Sequence, residues 1–132
     1  DGSGQWVFTG AGARVAAKNS FVTHIPNGGH LADLQEVLAE AFDPDPNTIR
    51  AFIDKLNETT VAAGQILDHH LGINLAILSL DVAIDHDGRM WILEINSKPA
   101  SFDEDDIRYQ HFDYLMDYAR YIGYKKHMRI DD

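Results

Sequence analysis

The stretch LDVAIDHDGRMWILEINSKPA, residues 80–100, decides how this sequence folds. Two apolar, β-branched runs flank Asp87-Gly88, a residue pair that strongly favours a two-residue type I′ hairpin turn. A loop of that length sets Asp81 directly opposite Glu94 on the neighbouring strand. Residues directly opposite each other share one face of a sheet. The sequence therefore predicts an antiparallel hairpin that carries two carboxylates side by side.

The same register brings further oxygen atoms to the carboxylate pair. Ser79 falls opposite Asn96, on the face that carries Asp81 and Glu94. Two like charges directly opposite each other are unfavourable unless something offsets them, and a hard divalent cation held by oxygen ligands does so. We therefore predict a metal site formed by Asp81, Glu94 and Asn96. The alternative is a set of ordinary acidic residues on the solvated face of a strand.

Composition bounds the class of protein. The chain has 132 residues, of which 45% are hydrophobic, enough for one domain with a real core. Its formal net charge of -10 argues against nucleic acids and anionic membranes as partners. It has no cysteine, so a reducing compartment such as the cytoplasm is allowed. No apolar run is long enough to span a membrane, and the first residues show no signal-peptide pattern.

The first six residues, DGSGQW, are typical of a turn that leads into a strand, with no strand before it. This pattern predicts that the natural chain is longer and that its earlier part is missing here. The alternative is a flexible leader rich in glycine and serine.

Periodicity and turn residues predict an α+β fold, an antiparallel β-sheet with helices packed on one face. Asn47 is the expected N-cap of the longest helix, and Gly72 its C-terminal cap. The predicted elements are strands over 5–17 and 21–25, helices over 30–42 and 48–70, the two strands of the hairpin, and a helix that opens with the acidic residues 103–106 and ends at Gly123.

Three further features could bind an anion. Arg14 lies on a predicted strand, and it could face the carboxylates if both hairpins share a sheet. Lys98 follows the acidic strand and could reach a phosphate as a point charge. Residues 27–29, Asn-Gly-Gly, could offer backbone N–H groups in front of a helix. For the arginine the alternative is a surface position, and for the glycines it is a plain turn, which we favour.

These residues together resemble a known family. The segment ARVAAKNSFVTHIPNGG, residues 13–29, followed by residues 71–100, is similar to the C-terminal portion of ATP-grasp proteins of the YheC/YheD-like group, which is associated with bacterial endospore coats. The resemblance runs from residue 1 to about residue 102. Its specific parts are an arginine followed by Asn-Gly-Gly, and an aspartate followed by Glu-x-Asn, in the expected order.

The resemblance implies a metal-dependent site. Asp81, Glu94 and Asn96 match the positions that hold two magnesium ions, or manganese, with Glu94 bridging both. Arg14 matches the arginine that stabilises the transferred phosphoryl group. Such enzymes activate a carboxylate with ATP and then join it to an amine or a thiol.

The nucleotide site follows from the same resemblance. By the predicted register, Ala83 and Ile92 lie on the carboxylate face and would form a floor near the nucleotide, with Lys98 beside them. Residues 1–132 would then be the C-terminal lobe of the ATP-grasp fold. The partners would be ATP, an unknown carboxylate or amine substrate, and a missing N-terminal lobe. The location would be cytoplasmic, with a possible place in the spore coat.

The sequence departs from the family pattern at three points. It supplies no N-terminal lobe with a phosphate loop, so we expect a fragment that binds ATP weakly by itself. His24 stands where the family usually has asparagine, and Ala100 stands where glycine is common. Two rival interpretations stay open: a spore-coat or scaffold domain that keeps the metal patch without turnover, and a plain acidic interaction module.

Overall fold

The structure is a computed structural model that describes residues 1–20, 23, 25–99 and 103–128. Over these residues it is an α+β fold with two small antiparallel sheets and three α-helices, which confirms the predicted class. The elements are β1 (Ala13–Val15), β2 (His30–Ala32), α1 (Leu34–Ala41), α2 (Pro46–Leu71), β3 (Ser79–Ile84), β4 (Met90–Asn96) and α3 (Asp105–Met128), with a 3₁₀ turn over Ile25–Asn27.

The chain divides into two compact units. The smaller unit is Gly10–Lys55, and the larger unit combines Asp1–Thr9 with Leu56–Asp132. Each unit contains one two-stranded sheet, β1 with β2 in the smaller and β3 with β4 in the larger. A sheet shared by both hairpins, the condition under which Arg14 would face the carboxylates, is therefore not met in the described residues.

The smaller unit forms its sheet from shorter strands than predicted. Strand β1 has three residues rather than the thirteen of 5–17, because glycines on its N-terminal side weaken strand formation. Its partner is β2, in the register Arg14↔Leu31, although residues 30–32 had been predicted as the start of a helix. The predicted strand 21–25 lies mostly outside the described residues, as do His24 and Ala100.

Asp33 separates the strand from the helix that follows. It is the N-cap of α1, and its Oδ1 accepts from the N–H groups of Gln35 at 2.9 Å and Glu36 at 3.0 Å. The helix therefore begins at Leu34, and the three residues before the cap are free to pair as a strand. Leu38 of α1 is buried, with 3% of its surface exposed, and belongs with Ala13 of β1 to the core of this unit.

Helix α2 begins at Pro46, two residues earlier than predicted. The carboxylate of Asp45 accepts from the N–H of Thr48 at 3.3 Å, and Pro46 occupies the first helical position, where its missing N–H costs nothing. The prediction of Asn47 as the N-cap is therefore wrong. The C-terminal prediction is confirmed: Gly72 has φ of 62° and donates its N–H to Asp68 O at 3.0 Å.

In the larger unit, Asp68 fixes the N-terminal segment to the end of α2. Its Oδ2 accepts from the indole Nε1 of Trp6 at 2.8 Å, and its Oδ1 accepts from the N–H of Leu75 at 2.8 Å. The Trp6 ring lies directly over buried Gly64, where an added Cβ would stand 2.7 Å from ring atom Cδ2. Burial, and then the Asp68 charge, raise the pKa of Tyr118.

Helix α3 starts with acidic residues as predicted, Asp105 and Asp106 in its first turn. Its end was predicted wrongly, because the helix passes through Gly123 and continues to Met128. A glycine inside a helix costs about 1 kcal/mol relative to alanine, which a long helix can absorb. None of the helices in the described part of the chain has the length and apolar character that crossing a membrane requires.

Candidate functional site

The hairpin of β3 and β4 closes with a longer loop than predicted. Asp85 donates its N–H to Arg89 O at 3.0 Å, and Gly88 donates its N–H to Asp85 O at 2.9 Å. Gly88 adopts a positive φ of 74°, as expected for a three-residue loop that ends in a left-handed glycine. The predicted two-residue loop, with His86 opposite Arg89, is therefore wrong.

The side chain of Asp85 stabilises the longer loop. Its Oδ1 accepts from the N–H groups of Asp87 and Arg89, each at 3.0 Å, and its Oδ2 accepts from Trp91 Nε1 at 2.9 Å. The bond from Trp91, followed by that from Arg89, holds the pKa of Asp85 below its usual value. The sequence signal for this loop was Asp85, because an aspartate two residues before Asp87 can bind the backbone of the turn.

A β-bulge restores the predicted register further from the loop. Next to the loop, Ile84 pairs with Met90 and Val82 pairs with Ile92. The register then shifts by one between Asp81 and Val82, so that Leu93 becomes the extra residue of the bulge. The one residue added in the loop is cancelled by the one residue added in β4.

The carboxylate pair follows from this cancellation. Asp81 lies opposite Glu94 and Ser79 lies opposite Asn96, which confirms both predicted pairings. Directly opposite residues have Cβ atoms about 4.5–5.5 Å apart. Asp81 and Glu94 are exposed, while Asn96 is partly buried. The hairpin therefore brings two carboxylates and one amide to one face, near the end of β4.

The predicted pairing of Ala83 with Ile92 is wrong. Ala83 lies opposite Trp91, and Ile92 lies opposite Val82. Because neighbouring residues on a strand alternate in direction, Ala83 shares the face of the carboxylates and Ile92 occupies the other face. Trp91 is thus the large side chain on the carboxylate face. A two-residue loop could not place it there, so sequence reasoning missed it.

The donor set suits a hard cation by its chemistry. Asp81, Glu94 and Asn96 offer only oxygen ligands, which magnesium and manganese prefer. Across the described residues, no group of three or more His, Asp or Glu side chains could hold a metal ion. The predicted set has only two carboxylates, with the amide as its third member, and metal binding there stays a prediction. Lys98 is exposed just beyond β4.

Arg14 lies in the smaller unit, at the centre of β1, whereas the carboxylates lie in the larger unit. The side chain is exposed and its residue pairs with Leu31 across the sheet. A shared sheet was the reason to expect Arg14 beside the carboxylates, and that reason does not hold. Its role in phosphoryl transfer stays a prediction that rests on the family.

The Asn-Gly-Gly segment forms a tight turn. Gly28 has φ of 90° and donates its N–H to Ile25 O at 3.0 Å. Gly29 is buried, and a Cβ there would overlap the carbonyl of Thr23. The segment leads into strand β2 rather than a helix, so an anion site at a helix N-terminus is wrong here. The two glycines are explained by backbone geometry.

Comparison with known proteins gives the family. The family described as YheC/D-like ATP-grasp matches residues 1–122 of the chain. A relative, endospore coat-associated protein YheD of Bacillus subtilis (strain 168), is 31% identical over 127 residues, which are 92% of this chain and 27% of that protein. The chain belongs to the YheC/D-like ATP-grasp family. It spans about a quarter of the length of this curated relative, and no solved structure matches it significantly.

Proposed function

We propose that this chain is the C-terminal, metal-binding lobe of an ATP-grasp carboxylate–amine ligase-like protein. One observation carries the proposal: a loop extension and a bulge cancel, so that Asp81 and Glu94 lie directly opposite each other. Two exposed carboxylates in that position repel each other unless a cation offsets their charge. Membership of an ATP-grasp family makes magnesium with ATP the natural source of that cation.

In this proposal Asp81, Glu94 and Asn96 would hold magnesium or manganese ions. When bound, such ions neutralise phosphate oxygens during transfer of a phosphoryl group. The oxygen donors of the three side chains fit that task in chemical type. Asn96 adds a neutral ligand, which limits the negative charge that the site concentrates.

The nucleotide would lie along the same face of the hairpin. Ala83 forms part of its floor, and Trp91 replaces Ile92 as the larger neighbour because Ile92 lies on the other face. Lys98 is exposed two residues beyond Asn96 and would bind a phosphate as a point charge. An indole on this face would present a flat apolar surface to the adenine ring.

The proposed reaction has two steps. A substrate carboxylate attacks the terminal phosphorus of ATP, which forms an acyl phosphate and releases ADP. An amine or thiol then attacks the acyl carbon and displaces inorganic phosphate. Arg14, with its planar fork of donors, would bind the transferred group in the assembled protein.

A half-site should bind nucleotide poorly. A cleft that holds a small ligand buries most of its surface, and one wall alone cannot do so. We therefore expect the 132-residue chain to bind Mn²⁺ weakly and to show no ATPase activity. The N-terminal half of the parent protein, added covalently or in trans, should restore nucleotide binding. Micromolar ATP binding by this chain alone would show that the nucleotide site is misplaced.

The decisive experiment is nucleotide turnover by the full-length parent, with magnesium and a panel of amino acids. Asp81→Asn should abolish magnesium-dependent turnover. Asp87→Asn is the matched control, because Asp87 is an exposed acid at the tip of the same hairpin. Equal loss in both variants, or equal activity, would contradict the proposal.

A second function has specific support. The relative is named as an endospore coat-associated protein, which favours a structural role without turnover. A scaffold would keep the metal patch but would not require Arg14 to act on the nucleotide. Binding of Mn²⁺ by the full-length protein, lost in Asp81→Asn and unaccompanied by turnover with any acid or amine, would select the scaffold.

A further inference from the structure

Helix α3 carries a second apolar face that the larger unit leaves exposed. Its buried side contains Ile107, with 7% of its surface exposed, and partly buried residues at matching spacing. The opposite side presents Tyr109, Phe112 and Met116, with 67%, 59% and 41% of their surfaces exposed. Spacings of three and four residues place these three on one face of a helix. A soluble helix normally pairs a buried apolar face with a polar one.

The two halves of α3 differ in net charge: Asp105, Asp106 and Asp113 outnumber Arg108 in residues 105–116, whereas Arg120, Lys125 and Lys126 outnumber Asp117 in residues 117–128. Asp105 and Asp106 lie in the first turn, and Lys125, Lys126 and His127 lie in the last. A second copy of this helix in the parallel direction would set acid against acid and base against base. In the antiparallel direction each acidic end meets a basic end. Charge complementarity therefore selects an antiparallel copy of the same helix as the occupant of the exposed face.

Gly123 agrees with that arrangement. It lies inside α3, yet an added Cβ would meet nothing within 4 Å, so the fold itself gives no steric reason for glycine. Suppose that two copies of α3 cross antiparallel, with Met116 of one copy facing Met116 of the other. Tyr109 of one copy then lies opposite Gly123 of the other, because both are seven residues from Met116. The same register sets Phe112 opposite Arg120, whose guanidinium also bonds Asp117 of its own helix at 2.8 Å. A guanidinium over an aromatic face is a favourable contact.

We propose that two copies of this chain associate through α3 as an antiparallel, two-fold symmetric pair centred on Met116. A two-fold interface uses the same patch on both copies, which a helix with opposite charges at its ends satisfies. Three aromatic side chains on this side, including Tyr124, offer roughly 400 Å² of apolar area per copy. A stable interface buries about 800 Å² per partner, so the dimer is weak and depends on concentration.

Sedimentation velocity of the 132-residue chain from low micromolar to near-millimolar concentration tests the association. The wild-type chain should convert from monomer to dimer over that range. Met116→Lys should raise the dimer dissociation constant at least about tenfold, because two ammonium groups would face each other at the centre. Leu71→Lys is the matched control, an exposed leucine in α2 that should leave the constant unchanged. A monomer at every concentration would overturn the proposal and leave the face to some other partner.

Cross-linking tests the direction of the helices and does not depend on a disruptive variant. The chain has no cysteine, so single cysteines can be introduced without background. A disulfide needs Cα atoms within about 7 Å, so Met116→Cys should form a covalent dimer on mild oxidation. Tyr109→Cys should do so only when mixed with Gly123→Cys. A covalent dimer of Tyr109→Cys with itself would overturn the antiparallel register.

Discussion

Two glycines inside helices of this chain should respond to alanine with opposite signs. Gly64 in α2 lies beneath the Trp6 ring, and an added Cβ would stand 2.7 Å from Cδ2 and 2.8 Å from Cε2. Gly123 in α3 has nothing within 4 Å of the same added atom. The intrinsic helical preference for alanine is common to both sites, so the pair isolates the effect of packing.

The expected changes in the free energy of unfolding follow from two contributions, helix propensity and packing. Alanine gains about 0.5–1 kcal/mol over glycine inside a helix. Overpacking a well-filled site costs about 1–3 kcal/mol. Gly123→Ala should therefore raise the free energy of unfolding by the first term alone, whereas Gly64→Ala should lower it by up to about 2 kcal/mol. The indole cannot simply turn away, because its Nε1 is bound to Asp68 at 2.8 Å.

Urea denaturation at low protein concentration measures both changes as shifts of the midpoint at constant slope. Trp6→Ala supplies the control: in that background the cost of Gly64→Ala should disappear, and the coupling between the two sites gives the packing energy. If Gly64→Ala stabilises the chain as much as Gly123→Ala does, Trp6 does not pack on α2 and the placement of the N-terminal segment is wrong.

Three further predictions concern charged and titratable groups. Without metal, Asp81→Asn should raise the melting temperature slightly, by less than about 1 kcal/mol in stability, because it removes repulsion with Glu94; a clear loss in chelator would make Asp81 structural. Asp68→Asn should lower the free energy of unfolding by about 1–3 kcal/mol, because the amide replaces one of the two accepting oxygens with an NH₂ group that would face an N–H donor, and the tryptophan fluorescence of the folded protein should shift. Burial lowers the pKa of His111, so the folded state binds fewer protons than the unfolded state and stability should fall as the pH drops through about 6.5. The slope of stability against pH should be smaller in His111→Gln, and an unchanged slope would show that this histidine is not the cause.

The three helices and the hairpin of β3 and β4 were predictable because each carries a local signal, whereas β2 at residues 30–32 was not. Asp33, Pro46 and Gly72 mark helix ends through capping chemistry that operates within a few residues of the chain. Where two capping residues lie close together, as Asp45 and Asn47 do, the local sequence does not decide which of them caps the helix. Gly123 does not end α3, because glycine ends a helix only where the backbone turns left-handed.

The division into two sheets and the position of Ile92 were not predictable in the same way. Pairing between distant strands depends on contacts that no short window contains. The face of Ile92 depends on a bulge at Leu93, and a bulge leaves little trace in composition. The carboxylate register came out correctly because two deviations of one residue cancelled. The predicted strand register is therefore correct at Asp81 and Glu94 and wrong next to the loop.

The cancellation between loop and bulge has a practical consequence. The bulge at Leu93 compensates for the extra residue in the loop. The pairing of Asp81 with Glu94 therefore need not depend on the number of residues at the tip of the hairpin. His86, at the exposed tip, lies beyond the bulge from that pair. The tip is therefore a site where residues can be inserted, or a fluorescent label attached, with the acidic pair left in place. Natural variation in loop length among relatives should concentrate there for the same reason.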